Sequence, residues 1–93
     1  MWEIYEHRRL SRRLPRLPVE ILKRYEKWKD IVQISGPTGL AAIKGFHDEA
    51  LHGKWKGHRS SRLGLQYRVF YKVEESESIV LVMDITTHDY RKK

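Results

Sequence analysis

The period of the apolar positions changes along the chain. Trp2-Glu3-Ile4-Tyr5 alternates and is rich in β-forming residues, which predicts a short first strand. Leu10, Leu14 and Leu17 then fall at i, i+4 and i+7, one helical face set among arginines. Pro15 lies inside that pattern, so a helix here must be short or broken. After Pro18, suited to a first helical turn, Ile21, Tyr25, Trp28 and Val32 recur at helical spacing, and Leu22 and Ile31 widen the stripe. Glu20 with Arg24, and Glu26 with Lys29, are spaced to pair along the exposed side. Gly36-Pro37 stops the pattern, so the predicted helix covers about 18–35. Leu40-Ala41-Ala42-Ile43 reads as a second, short helix.

The second half has period two. Arg59 to Leu63 and Leu65 to Val73 read as strands, with Gly64 as the turn or bulge between them. In the latter, Tyr67, Val69, Tyr71 and Val73 point one way, and Gln66, Arg68, Phe70 and Lys72 the other. Glu74 to Ser78 is a polar loop. Ile79 to Ile85 is a nearly continuous apolar run, the mark of a central strand covered on both faces. The order β-α-α-β-β-β predicts one α+β domain over 1–93, an antiparallel sheet with helices packed on one side.

Charge changes the picture most. Nineteen Lys and Arg against twelve Asp and Glu give +7, and the pI is near 9.9. Eleven of these bases lie in two windows without an acid. Residues 8–16 hold Arg8, Arg9, Arg12, Arg13 and Arg16, and residues 54–72 hold Lys54, Lys56, Arg59, Arg62, Arg68 and Lys72. A merely solvated surface would mix the signs, so an anion-binding face is expected, and a polyanionic partner with it. With no cysteine, neither a disulfide framework nor a thiolate metal site is expected. The lack of a long apolar run and of a signal-peptide pattern points to the cytoplasm and away from a membrane.

No cofactor motif is expected: Gly36-Pro37-Thr38-Gly39 lacks the Gly-Lys-Ser/Thr ending of a phosphate loop. The spacing of His47, His52 and His58 does not fit two ligands on one helical face, and no metal is expected. A hairpin would bring Arg59 and Arg68 onto neighbouring strands with Arg62 near its turn, while His88 and Tyr90 follow the last strand. Arginines that bind a phosphate, with an imidazole and a phenol to move protons, suit metal-free phosphodiester cleavage. The alternative is that Arg68 is a structural anchor and His88 caps a strand end.

The string from Leu51 to Leu63, followed by Gln66-Tyr67-Arg68-Val69-Phe70-Tyr71-Lys72-Val73, resembles the RelE/ParE toxin superfamily. Its Arg-Ser-x-Arg-Leu and Gln-Tyr-Arg-Val-x-Tyr pieces look most like the HigB branch. The ending Val82 to Tyr90 is similar to the family's last strand, although HigB members more often end Asp-Tyr-His. The resemblance covers roughly residues 45–90. It implies a compact, microbial ribonuclease-like fold and a type II toxin–antitoxin role. RelE-like and HigB-like members cleave mRNA without metal, usually on the ribosome, and so inhibit translation.

Carried over, Arg59 and Arg62 would hold phosphate or ribosomal backbone, and Arg68 would occupy the family's Tyr-Arg position. His88 would be the general acid or base, with His47 or His58 as alternatives, and Tyr90 its neighbour or a stacking platform. Lys54, Lys56 and His58 would add RNA contacts. The implied partners are mRNA, the ribosome and a cognate antitoxin of the helix-turn-helix kind, with operator DNA reached only through the antitoxin complex. The alternatives are a ParE-like inhibitor of DNA gyrase and a non-catalytic basic module that binds nucleic acid.

Overall fold

The computed structural model describes residues 1–64 and 66–88. Strand β1 (Glu3–Glu6) leads into a single turn of helix α1 (Leu10–Arg13), which tightens to a 3₁₀ turn at Leu14–Arg16 around Pro15. This is the broken helix the proline requires. Helix α2 (Val19–Ser35) begins after Pro18, whose carbonyl accepts from the N–H groups of Ile21 and Leu22. Its buried residues are the predicted stripe of Ile21, Tyr25, Trp28 and Val32. Glu26 pairs with Lys29 at 3.0 Å, but Arg24 does not pair with Glu20. Its guanidinium lies 4.1 Å over the Phe46 ring, a contact that an aromatic face out of water favours over an exposed ion pair.

A short helix α3 (Thr38–Ala41) and a 3₁₀ turn (Lys44–Phe46) lead to β2 (Glu49–Ala50). After a further 3₁₀ turn at Gly53–Trp55 come β3 (His58–Gly64), β4 (Tyr67–Glu74) and β5 (Ile79–Thr86). The predicted start of β4 at Leu65 lies outside the described residues. The sheet order is β1-β5-β4-β3-β2. Its β3–β5 part is antiparallel as expected; β2, absent from the expected order, adds an antiparallel edge beside β3, and β1 joins β5 in parallel, so the sheet is mixed. The most apolar strand thereby takes an interior place, and everything between β1 and β5 forms the crossover a parallel pair needs. Helices α1, α2 and α3 bury Leu10, the α2 stripe and Leu40 against Leu63, Val69, Tyr71, Val80, Val82 and Ile85 on one face of the sheet. Among the described residues the other face, the open face of the sheet, carries no helix of the core.

Coverage of β5 on both faces does not hold in full. Val80, Val82 and Ile85 are buried, whereas Ile79, Leu81 and Met83 are only half-buried. The helices cover one face of the sheet, whereas over β5 the open face is covered less completely. Strand β5 also bulges: Phe70 pairs with Asp84 and Tyr71 with Val82, which leaves Met83 as an extra residue. The extra residue reverses the facing of everything beyond it. Ile85 therefore turns to the core, while Asp84 and Thr86 share the open face with Phe70 and Arg68. Strand β1 pairs with β5 only as far as Val82, whose carbonyl also accepts from His7 N–H. Helix α1 packs against the rest of β5.

Gly36 ends α2 at φ 72° and ψ −176°, its N–H on the Val32 carbonyl. That region of backbone is nearly exclusive to glycine. A Cβ there would lie 2.5 Å from Trp2 Nε1. Gly36→Ala should lower the unfolding free energy by about 1–3 kcal/mol, measured by urea titration.

Candidate active site

The polar core is organised by Asp48, whose side chain is only 1% exposed. Its Oδ2 accepts from Arg59 Nε at 2.9 Å and faces Arg59 NH2 at 2.8 Å. Its Oδ1 accepts from Ser61 Oγ at 2.6 Å and from the Tyr71 hydroxyl. Ser61 Oγ in turn accepts from Trp28 Nε1 at 3.0 Å. One carboxylate thus ties the segment before β2 to β3 and β4, and through Ser61 to α2. Burial pushes the Tyr71 phenol well above the ordinary tyrosine value, and Asp48 adds to the shift. Burial alone would lower the Arg59 pKa, but the Asp48 charge outweighs it and raises it. Tyr25 is likewise raised, by burial first and then by its hydrogen bond to the Glu6 carboxylate.

This network separates residues that the sequence reading had grouped. Arg59, Ser61 and Leu63 face the helices, so His58, Ser60 and Arg62 face the other way. Arg59 therefore lies on the opposite side of the sheet from Arg62 and Arg68, held by Asp48. The spacing of three between Arg59 and Arg62 was the available signal, since an odd spacing in a strand means opposite faces.

On the open face Arg62 stands directly across from Arg68, and Arg68 directly across from Thr86. Both arginines are half-buried. No carboxylate of a described residue pairs with either, and Arg62 Nε is buried with no hydrogen-bond partner among the described residues. Like charges directly opposite in a sheet repel, and a buried donor left unmade costs about 1–3 kcal/mol. Next to this row, Asp84 is buried and accepts from Ile85 N–H and Arg13 Nε, each at 2.9 Å. His88 is exposed two residues past Thr86, its backbone N–H on Thr86 Oγ1 at 3.1 Å. Tyr90 lies outside the described residues.

The other half of this face is aromatic. The His58 ring stacks on Phe70 at 5.1 Å and 11°, and Trp55 meets both rings edge-on. His58 Nδ1 is buried without a hydrogen-bond partner among the described residues. Lys54 and Lys56 are exposed around this cap, with Lys54 Nζ 5.3 Å over the Trp55 ring. His47 is exposed at φ 43° at the end of a 3₁₀ turn. Asp48, Trp55, Phe70 and Asp84 were missed as parts of the site. Asp48 had one trace in sequence, a polar Ser61 on the core side of a strand that needs a buried partner. Among the described residues no three His, Asp or Glu side chains are grouped to hold a metal.

No family model matches this sequence, and no curated protein matches it. Its fold, however, is shared with solved structures. An archaeal RelE from the RelE–RelB complex of Pyrococcus horikoshii superposes with a TM-score of 0.72 at 22% identity, over 99% of this chain and 97% of that one. A YoeB/ParE toxin from Agrobacterium tumefaciens gives 0.72 at 14% identity, over 94% and 99%. YafQ from E. coli gives 0.72 at 13%, over 95% and 94%. The chain thus has the fold seen in these RelE, YoeB/ParE and YafQ structures.

Two outcomes are expected from the Asp48 network. Arg59→Ala leaves a buried carboxylate without its cation, a loss worth about 3–5 kcal/mol in full burial. Arg59 is a third exposed, and Tyr71 and Ser61 still donate, so about 2 kcal/mol is expected in urea unfolding. The second outcome concerns alkaline pH. With Tyr25 and Tyr71 raised in the folded state, their stabilisation is complete below pH of about 10 and is lost above it. Each should contribute a slope of about 1.4 kcal/mol per pH unit there. Tyr71→Phe should remove one such contribution from the alkaline limb, and an unchanged slope would refute the assignment.

Proposed function

We propose that this chain is the toxin of a type II toxin–antitoxin system. On this reading it is a metal-independent endoribonuclease that cleaves mRNA on the ribosome and so inhibits translation. The observation that carries the reading is the pairing of Arg62 with Arg68 on the open face, beside Thr86 and two residues short of His88. Two guanidiniums held opposite each other, with no carboxylate on either among the described residues, are costly unless an anion joins them, and a phosphodiester supplies that anion.

In the proposed reaction the ribose 2′-oxygen attacks the adjacent 3′ phosphorus. The P–O5′ bond breaks, leaving a 2′,3′-cyclic phosphate and a 5′-hydroxyl. The imidazole of His88 exchanges protons with the 2′-hydroxyl or the departing 5′-oxygen. Arg62 and Arg68 bind the phosphate and stabilise the extra charge of the transition state. His58, Trp55 and Phe70 offer aromatic surface for a base, and Lys54 and Lys56 add phosphate contacts. Arg59 acts through the fold.

The HigB-like pieces around Arg62 and Arg68 support the nuclease branch over gyrase inhibition. The antitoxin partner is supported by the complexes of similar folds with RelB and with YefM. An acidic antitoxin segment, from a protein of the helix-turn-helix kind, suits the basic face. The expected compartment is the cytoplasm, where ribosomes are.

Expression without an antitoxin should arrest growth, and primer extension should map new mRNA ends. His88→Ala should lower cleavage about 10²–10⁴-fold. Arg62→Ala or Arg68→Ala should lower it about 10²–10³-fold. None should shift the thermal midpoint as far as Arg59→Ala does. Arrest with intact mRNA and inhibited gyrase would reassign the chain to the ParE type.

A further inference from the structure

Apart from Arg13, which pairs with Asp84 beside the arginine row, the arginines of residues 8–16 take no part in the site above, yet the fold gathers three of them. Arg12, Arg13 and Arg16 line a cleft of about 400 Å³ with Tyr67, Thr86 and Thr87. It lies where β1 stops and α1 takes up the edge of β5. Among the described residues no acidic side chain lines it. Arg13 Nε is fixed by the buried Asp84 carboxylate, while the side chain stays half-exposed, so its terminal amino groups are left to donate elsewhere. Arg12 and Arg16 are four residues apart, a spacing at which like charges repel. Among the described residues neither has a carboxylate partner. The hydroxyls of Tyr67, Thr86 and Thr87 add neutral groups that donate to a phosphate without adding charge.

Thr86 belongs both to this cleft and to the Arg62–Arg68–Thr86 row. Neighbouring strands are about 4.8 Å apart, so from the backbone of Arg62 to that of Thr86 is about 10 Å, and the cleft begins there. We infer that the Arg12–Arg13–Arg16 cleft is a second phosphodiester subsite. It would seat the backbone of the same RNA strand one or more nucleotides away from the bond being cut. The inference rests on the nuclease reading above and extends it. An acidic protein segment is disfavoured as occupant because the cleft continues directly from the row proposed to hold the scissile phosphate.

The test uses the purified full chain and fluorescein-labelled RNA with 2′-O-methyl riboses, which has no 2′-hydroxyl to react. A trinucleotide is long enough for the Arg62–Arg68 site alone, and a nonanucleotide reaches both. Anisotropy titrations between about 50 and 300 mM salt give affinity and its salt slope. In the doubly substituted Arg12→Gln, Arg16→Gln chain, the nonanucleotide should bind about tenfold more weakly, with a slope shallower by about 1.4. Trinucleotide affinity should not change. A double variant that keeps both the nonanucleotide affinity and its slope overturns the subsite. If it also loses affinity for a glutamate-rich peptide, the cleft is instead a surface for an acidic protein. If nonanucleotide binding collapses in Arg68→Ala while the double variant is unaffected, only the subsite fails. If the unsubstituted chain binds neither oligonucleotide, the nuclease reading fails with it.

Discussion

The Asp48 carboxylate is the constraint on which the rest of the structure depends. It is buried, accepts from Arg59, Ser61 and Tyr71, and reaches Trp28 through Ser61. A charge taken out of water this fully must be met by donors on every side. Here the donors come from β3 and β4, and Ser61 carries the network on to Trp28 of α2, so meeting them fixes how those elements lie together. It also fixes the phase of β3. With Arg59 and Ser61 turned inward to Asp48, Arg62 has to face outward, and the register with β4 then sets it against Arg68. The placement of the site is thus a consequence of an interaction on the other side of the sheet.

Most of the architecture was legible because it rests on burial. Ile21, Tyr25, Trp28 and Val32 repeat at the helical period and form the buried face of α2. Tyr67 and Val69 alternate with Arg68 and Phe70 as the facing of β4 requires. What escaped was decided by pairing between distant segments. The parallel place of β1 follows from where β5 needs cover, and no local pattern encodes it. The Met83 bulge lies inside an apolar run that looks the same with or without an extra residue. Asp48 shows nothing locally that marks it as buried. Arg59 was grouped with Arg62 and Arg68 through the expected hairpin and the resemblance, although the pleat separates it from them.

The open face is where sequence and stability disagree. Arg62 and Arg68 repel, Arg62 Nε has no described partner, and a bulge interrupts the central strand beside them. Each departs from what packing would choose, and departures of this kind gather at functional sites. The bulge has an identifiable consequence. With a regular β5, Asp84 and Thr86 would turn toward the core, and Arg13 would lose its anchor on the open side. One inserted residue thus supplies both the neighbour of Arg68 and the carboxylate that orients Arg13.

The two acid-free windows of the chain, far apart in sequence, are joined by that same strand. The first lies on α1 at the free edge of β5, and the second supplies Arg62 and Arg68 from β3 and β4. Thr86 lies between them. Asp84 is the buried acid that contacts this surface, and its charge is taken up by Arg13. The remaining guanidiniums of this surface have no described counter-charge, so an extended polyanion lying across them would lower their mutual repulsion. An isolated phosphate would relieve one pair, whereas a strand with regularly spaced phosphates relieves the row and the cleft together. The geometry therefore favours a polymer over a small anion as the occupant, because only a polymer matches the separation that β5 imposes between the two groups of arginines.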